Sequence, residues 1–273
     1  MQLDEDTLAR LRRDLGEDHP DTLAAASALA SSLRAAGEYQ AARELDEDTL
    51  ARRRRVLGED HPDTLASASN LAMILGRVGE HQAARELAED TLARHRRVLG
   101  EDHPDTLTSA SNLVMLLARL GEHQAARELA EDTLARRRRV LGEDHPDTLA
   151  SADNLAFSLQ GVRGGQAARE LAEDTLARRR RVLGEDHPDT LWSAFSLAGA
   201  LTELGEYQAA KELNEDILAR RRRVLGDGHR DTMISASFAL ILSGLAADPK
   251  AREVMETVVA AWAQSVEGRQ PDS

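Results

Sequence analysis

The chain has 273 residues, with 35 basic against 48 acidic side chains for a formal net charge of −13, and its apolar 41% includes only 3% aromatic residues. It has no cysteine, which excludes disulfides, thiolate-bound zinc, iron–sulfur clusters and thiol catalysis. No stretch approaches the roughly 20 apolar residues of a membrane span, the opening MQLDEDTLAR has no secretory character, and an acidic balance suits neither nucleic acid nor an anionic membrane. A cytoplasmic, helical protein with an Ala/Leu core is expected.

The predicted elements begin with a fragment. Leu3–His19 matches Leu45–His61, so the chain opens partway through a helix, and further repeats or another domain are expected upstream in the parent protein. From there His19, His61, His103, His145, His187 and His229 recur every 42 residues, the first five heading the string HPDTL and the last HRDTM. One domain is therefore expected: a half-unit at 1–18, six units at about 19–60, 61–102, 103–144, 145–186, 187–228 and 229–266, and a tail at 267–273. A fixed period of this length signals stacked supersecondary units.

Each unit reads as two helices of about 17 residues, roughly 25 Å long. In the second unit the first helix starts at Pro62, with His61 as N-cap, because a residue before proline is pushed out of the α region. Leu65, Ala68, Leu71, Ala72, Leu75 and Val78 recur in steps of three and four along one face, and Gly79 stops the helix. The second helix runs from about His81 to Val98, with Ala84, Leu87, Ala88 and Leu92 on one side and Gly100 beyond its end. Its acids precede its arginines, which suits the helix dipole. Neither helix can bury its stripe alone, so stacking is expected. The fourth unit replaces its inner turn with Gly161-Val162-Arg163-Gly164-Gly165, which should be looser. The last unit should end in a helix around Ala251–Val266, with Trp262 covering the end of the core. Near-identical stretches such as Ala126–Thr148 and Ala168–Thr190 would also suit a designed consensus, but the singular residues of units four to six favour a natural origin.

Several chemistries can be weighed from spacing. Runs such as Arg52–Arg55 and Arg136–Arg139 point around a helix, follow Glu/Asp pairs at ion-pairing distance such as Asp132–Arg136, and lack interleaved aromatics, so a solvated, ion-paired back is expected and no nucleic-acid surface. Stacked elements lie roughly 8–10 Å apart, so equivalent His residues cannot share a metal ion. They are expected to cap helices. No metal, phosphate-loop or nucleophile–base motif stands out, so no enzyme activity, catalytic residue, metal or cofactor is expected.

The pattern Asn70-Leu71-Ala72-x-x-Leu75-x-x-x-Gly79-x-His81-x-x-Ala84-x-x-Leu87-Ala88 resembles the tetratricopeptide repeat, and the 42-residue length with its Leu-Gly-Glu-Asp-His-Pro-Asp-Thr-Leu link resembles the kinesin-light-chain class of that family. The resemblance implies an all-α, right-handed superhelical solenoid and a non-enzymatic scaffold that holds an extended protein or peptide segment in its concave groove, as in the sensor arm of a larger regulator. It also implies that first helices line the groove. One row there contains Ala28, Asn70, Asn112, Asn154, Ser196 and Phe238, whose amides would grip a peptide backbone. Neighbouring rows give Ser69, Ser111 and Asp153, then Met73, Met115 and Phe157, then Arg77 and Arg119, which would favour acidic ligand groups. Trp192, Phe195 and Phe157 would form an aromatic patch for an apolar anchor, or fill space beside the Gly-rich turn. Tyr39, His81, His123 and Tyr207, which share one position, are expected to be packing residues. Self-assembly into homo-oligomers through solenoid ends or backs, and small-molecule sensing near the Gly-rich turn, are the competing readings.

Overall fold

Helix starts and stops in this chain are written in its link sequence. At each link the His Nδ1 accepts a hydrogen bond from the backbone N–H two residues on, at 3.2 Å, as in His61 to Asp63, and Pro takes the first helical position in all but the last. This satisfies one of the N–H groups a helix start leaves orphaned, and it is the role the six periodic histidines play. At the other end Gly100 adopts φ +90°, and its N–H returns to the Arg96 carbonyl. That backbone region favours glycine over any residue with a Cβ.

A computed structural model describes residues 2–160, 162 and 164–247; the expected terminal cap with Trp262, the tail, and Gly161 and Arg163 of the Gly-rich turn lie outside them. Among the described residues are twelve helices and no strand: α1 (Gln2–Leu15), α2 (Pro20–Ala36), α3 (Tyr39–Leu57), α4 (Pro62–Arg77), α5 (His81–Leu99), α6 (Pro104–Arg119), α7 (His123–Leu141), α8 (Pro146–Gln160), α9 (Gly165–Leu183), α10 (Pro188–Glu203), α11 (Tyr207–Leu225) and α12 (Arg230–Ala247). They fall into two units that divide between Leu120 and Gly121, α1–α6 and α7–α12.

In each unit consecutive helices pack together, and first helices also touch the next first helix, α4 on α6 and α8 on α10. Small residues make this approach possible. Ala72, Ala84 and Ala88 are buried between leucines such as Leu65, Leu71 and Leu92. In the second unit Ala156, Ala172, Leu176, Ala194, Leu197, Leu201, Ala210, Ile217 and Leu242 form one contiguous cluster. Each buried Leu or Ile contributes about 1.5–3 kcal/mol, and every further repeat adds more of the same.

The back carries the ladder the sequence suggests, with one correction. Arg136 pairs with Asp132 within its helix at 2.8 Å. Other arginines reach back to the preceding repeat: Arg52 and Arg55 to Asp18, Arg94 and Arg97 to Asp60, Arg178 and Arg181 to Asp144, Arg220 and Arg223 to Asp186, at 2.6–3.2 Å. The Arg97 hydrogen bond, outweighing desolvation, holds the Asp60 carboxyl below the ordinary aspartate value. But the second arginine of each run is not solvated. Arg53, Arg137, Arg179 and Arg221 are buried, continuing the inward stripe of Ala42, Asp46, Thr49 and Leu50 in α3 and its equivalents. Arg53 Nη1 donates to the Asp63 carbonyl at 3.0 Å and to Ser67 Oγ at 2.6 Å, and Arg221 repeats this on Asp231 and Ser235. Desolvation lowers the pKa of the Arg53 and Arg221 guanidiniums. In α5 the position is His95, whose Nδ1 lies 2.8 Å from Ser109 Oγ; burial lowers its pKa too.

Candidate functional site

Helical periodicity places one open stripe on each first helix. In α4 it consists of Ala66, Asn70, Met73 and Arg77; in α6 of Thr108, Asn112, Met115 and Arg119. Steps of four, three and four keep these residues on one face. Met73 is 41% exposed and Met115 53%, large apolar side chains left open while leucines nearby on the same helices are buried. Asn70 and Asn112 are half-buried, and their side-chain amides take part in no hydrogen bond among the described residues. A free amide offers two donors and one acceptor, the complement of an extended backbone.

Within the first unit these residues enclose a shallow hollow of about 90 Å³, lined by Met73, Gly76, Arg77, Asn112, Met115, Leu116 and Arg119. Five of the seven are residues the sequence picks out; Gly76 and Leu116 complete the floor. Arg77 Nη1 donates to the Tyr39 hydroxyl at 3.0 Å, with its guanidinium carbon 5.3 Å from the ring centre. Arg119 Nη2 donates to the Gly76 carbonyl at 3.4 Å. Neither has a carboxylate partner among the described residues, in contrast to Arg94 on the back. Tyr39 is thus more than a packing residue. Ser69 and Ser111 sit deeper: Ser69 Oγ lies 3.4 Å from Ser109 Oγ, and the Ser111 hydroxyl is buried without a partner.

The second unit carries the same stripe with different chemistry. Asn154 is half-buried with a free side-chain amide, Phe157 is 53% exposed and Trp192 43%. The aromatic patch differs from expectation. Trp192 stacks on Phe195 at 6.1 Å between ring centres, and Phe195 meets Phe238 edge-on at 5.2 Å, while Phe157 joins no ring pair among the described residues. Phe195 also covers the buried guanidinium of Arg221 at 5.3 Å, so it links surface to core. At the position of Gly76 stands Gln160, whose amide donates to the Ser196 carbonyl at 3.2 Å and whose oxygen lies 2.9 Å from where Gly199 would carry a Cβ. At the position of Arg119 stands Glu203.

Asp153 is a correction. Its row suggested an open side chain, yet it is buried, ion-paired to Arg179 at 3.0 Å and accepting from Ser193 Oγ at 3.1 Å, with Oδ1 unpartnered. Burial, opposed by Arg179, raises its pKa to about 6. The missed signal was Arg179 itself, a cation continuing the buried stripe of α9.

Among the described residues no group of three or more acidic or His side chains could hold a metal ion, and no helix is long and apolar enough to cross a membrane. The tetratricopeptide repeat family matches residues 2–55, 21–96, 66–139, 109–163, 148–189 and 190–231. The chain belongs to the tetratricopeptide repeat family. More narrowly, it is similar to kinesin-light-chain-like members. The nearly identical TPR-like repeats of a Podosopora anserina protein assigned to the kinesin-light-chain type are 34% identical over 75% of this chain and 97% of that one, with a TM-score of 0.63. BtubC (BKLC) from P. vanneervenii shares the fold at 22% identity, covering 84% of this chain and 91% of that one with a TM-score of 0.66. A Rap protein complexed with Competence and Sporulation Factor shares it at 12% identity, 96% and 74% coverage and a TM-score of 0.64. A comparison with curated proteins gave no match. Fold and family make the chain a helical-repeat interaction scaffold.

Proposed function

We propose that the chain is a non-enzymatic binding module whose first helices hold an extended protein segment, as the interaction or sensor arm of a larger regulator. One observation carries this reading: Asn70, Asn112 and Asn154 recur at 42-residue intervals with unpartnered side-chain amides, in a molecule whose back-side charges are extensively paired. Leaving three amides free on equivalent faces is of no use to folding, but it suits a ligand backbone. Met73, Met115, Phe157, Trp192 and Phe195 supply apolar contact, Arg77 and Arg119 cationic contact, and Ser69 and Ser111 lie beneath the ligand path. The Rap relative, solved with a bound factor, is consistent with such use of the fold.

The test is affinity capture with the whole chain, repeated with Asn70, Asn112 and Asn154 all changed to Ala. Because those amides make no internal hydrogen bonds, the triple variant should keep its melting temperature and lose its partner. Undiminished capture by a folded triple variant would refute the reading.

A further inference from the structure

Tyr39, which opens α3, faces Arg77, which closes α4, 38 positions on. Tyr39 meets Arg77 by a hydrogen bond and a ring face. In the second unit, Gly165 leaves room for Glu203, whose carboxylate oxygen lies 3.2 Å from where a Cβ on Gly165 would stand. Tyr207 and Leu245 occupy the last such pair, both buried. Tyr39 therefore sets how the Arg77 side chain is presented.

In the first unit that partner borders the hollow. Arg77 is fixed from two sides by Tyr39, and Arg119 is tethered to the Gly76 carbonyl across the floor. A cation held in one orientation surrenders less freedom on binding an anion. The hollow's volume of about 90 Å³ is several times the roughly 10–15 Å³ that one water needs on the same measure, room for a carboxylate and its methylene. Met73 and Met115 offer adaptable apolar walls for that methylene. We infer that Tyr39 is a positioning residue that gives this hollow its charge selectivity, presenting Arg77 so that a ligand's Glu or Asp side chain is preferred over its amide counterpart. The inference rests on the groove reading above and names what one part of the groove selects. The equivalent place in the second unit, filled by Gln160 and bordered by Glu203, lacks this selectivity.

Methionine labelling tests it. The chain has five methionines, two of which line the hollow, so ¹³C-methyl spectra of the full chain report on it directly. The probes are N-acetyl-glutamate N-methylamide and N-acetyl-glutamine N-methylamide. The Met73 and Met115 signals should respond to the first at a concentration about tenfold lower than to the second, since only the carboxylate adds an opposite charge and can accept two parallel bonds from a guanidinium. Tyr39→Phe, which keeps the ring but loses the hydroxyl, should cut this ratio about threefold, and Tyr39→Ala should cut it further, with the separately tethered Arg119 supplying what remains. A purely packing role for Tyr39 would change the melting temperature and leave the ratio alone. An unchanged ratio in folded Tyr39→Phe and Tyr39→Ala overturns the inference, as does a ratio of one in the unaltered chain. Neither result touches the groove reading, which stands or falls with the Asn triple variant.

Discussion

Changing Asp153 to Ser should stabilise the protein at neutral pH, although it removes one partner of a buried ion pair. Equivalent first-helix positions carry Ser27, Ser69, Ser111 and Ser237, so the fold accepts serine there. The Asp153 carboxyl titrates near 6 in the folded chain against 3.8 for an ordinary aspartate, because burial outweighs attraction to Arg179. A folded value above the unfolded one means that stability is greatest below the unfolded value and is lost as pH rises through the folded value. A difference of that size corresponds to about 3 kcal/mol at pH 7.5, an upper figure for a paired group. Arg179 would keep its bond to the Asp189 carbonyl and could donate to Ser193 Oγ, released from Asp153, as Arg221 does to Ser235. Arg221 shows this to be sufficient: it is buried on a carbonyl, a hydroxyl and a ring face, with no ion pair among the described residues. Urea denaturation followed by far-UV circular dichroism should show Asp153→Ser more stable by about 1–3 kcal/mol at pH 7.5, with the gain fading towards pH 4. Comparing variant with parent at each pH cancels the other titrating groups. A loss of stability at pH 7.5 that is equally large at pH 4 would refute the reasoning, since it would mean that the ion pair is a net contributor.

Other outcomes follow from the same geometry. His95, kept neutral by burial, has the opposite sign: its contribution is complete above its unfolded value of about 6.5 and falls as pH drops through its lower folded value, so His95→Arg should flatten the acid side of the stability profile. His103→Ala should cost about 1 kcal/mol by removing an N-cap, and His103→Asn should recover most of it, both read from denaturation midpoints. Gly142→Ala should cost about 1–3 kcal/mol, because Gly142 sits at φ +86° and ψ 166°, a region essentially confined to glycine. If Arg77 and Arg119 contact ligand carboxylates, affinity for the captured partner should fall between about 50 and 500 mM salt, and constant affinity would remove them from the site.

The repeat and its boundaries were legible because they depend on local rules. Proline and histidine at each link, glycine beyond each helix end and leucines in steps of three and four recur from copy to copy, and the helices follow them within a residue or two. The open stripe was legible for the same reason: Asn70, Met73 and Arg77 lie on the face opposite the leucines. The interior polar groups were not. A run of four arginines presents one to every side of a helix, and which one turns inward depends on continuing the buried stripe past Leu50 to Arg53. His95 gave a hint, since a single copy in which histidine replaces arginine points to a position under packing constraint. Asp153 was misread because its row holds serines, and a small hydroxyl is compatible with either side of a packing boundary. The link from Tyr39 to Arg77 spans 38 residues and needs the stacked geometry to be seen.

The rungs on the back join each repeat only to the one before it, at sequence separations of 34 and 37 residues. Excising a complete 42-residue segment, or copying one in place, would hand each of these arginines an identical aspartate. A gene built this way can lengthen or shorten by whole 42-residue units without breaking one of these rungs. What such an event would alter is the list of open-face residues on offer to a guest, so changes in length become changes in what is recognised.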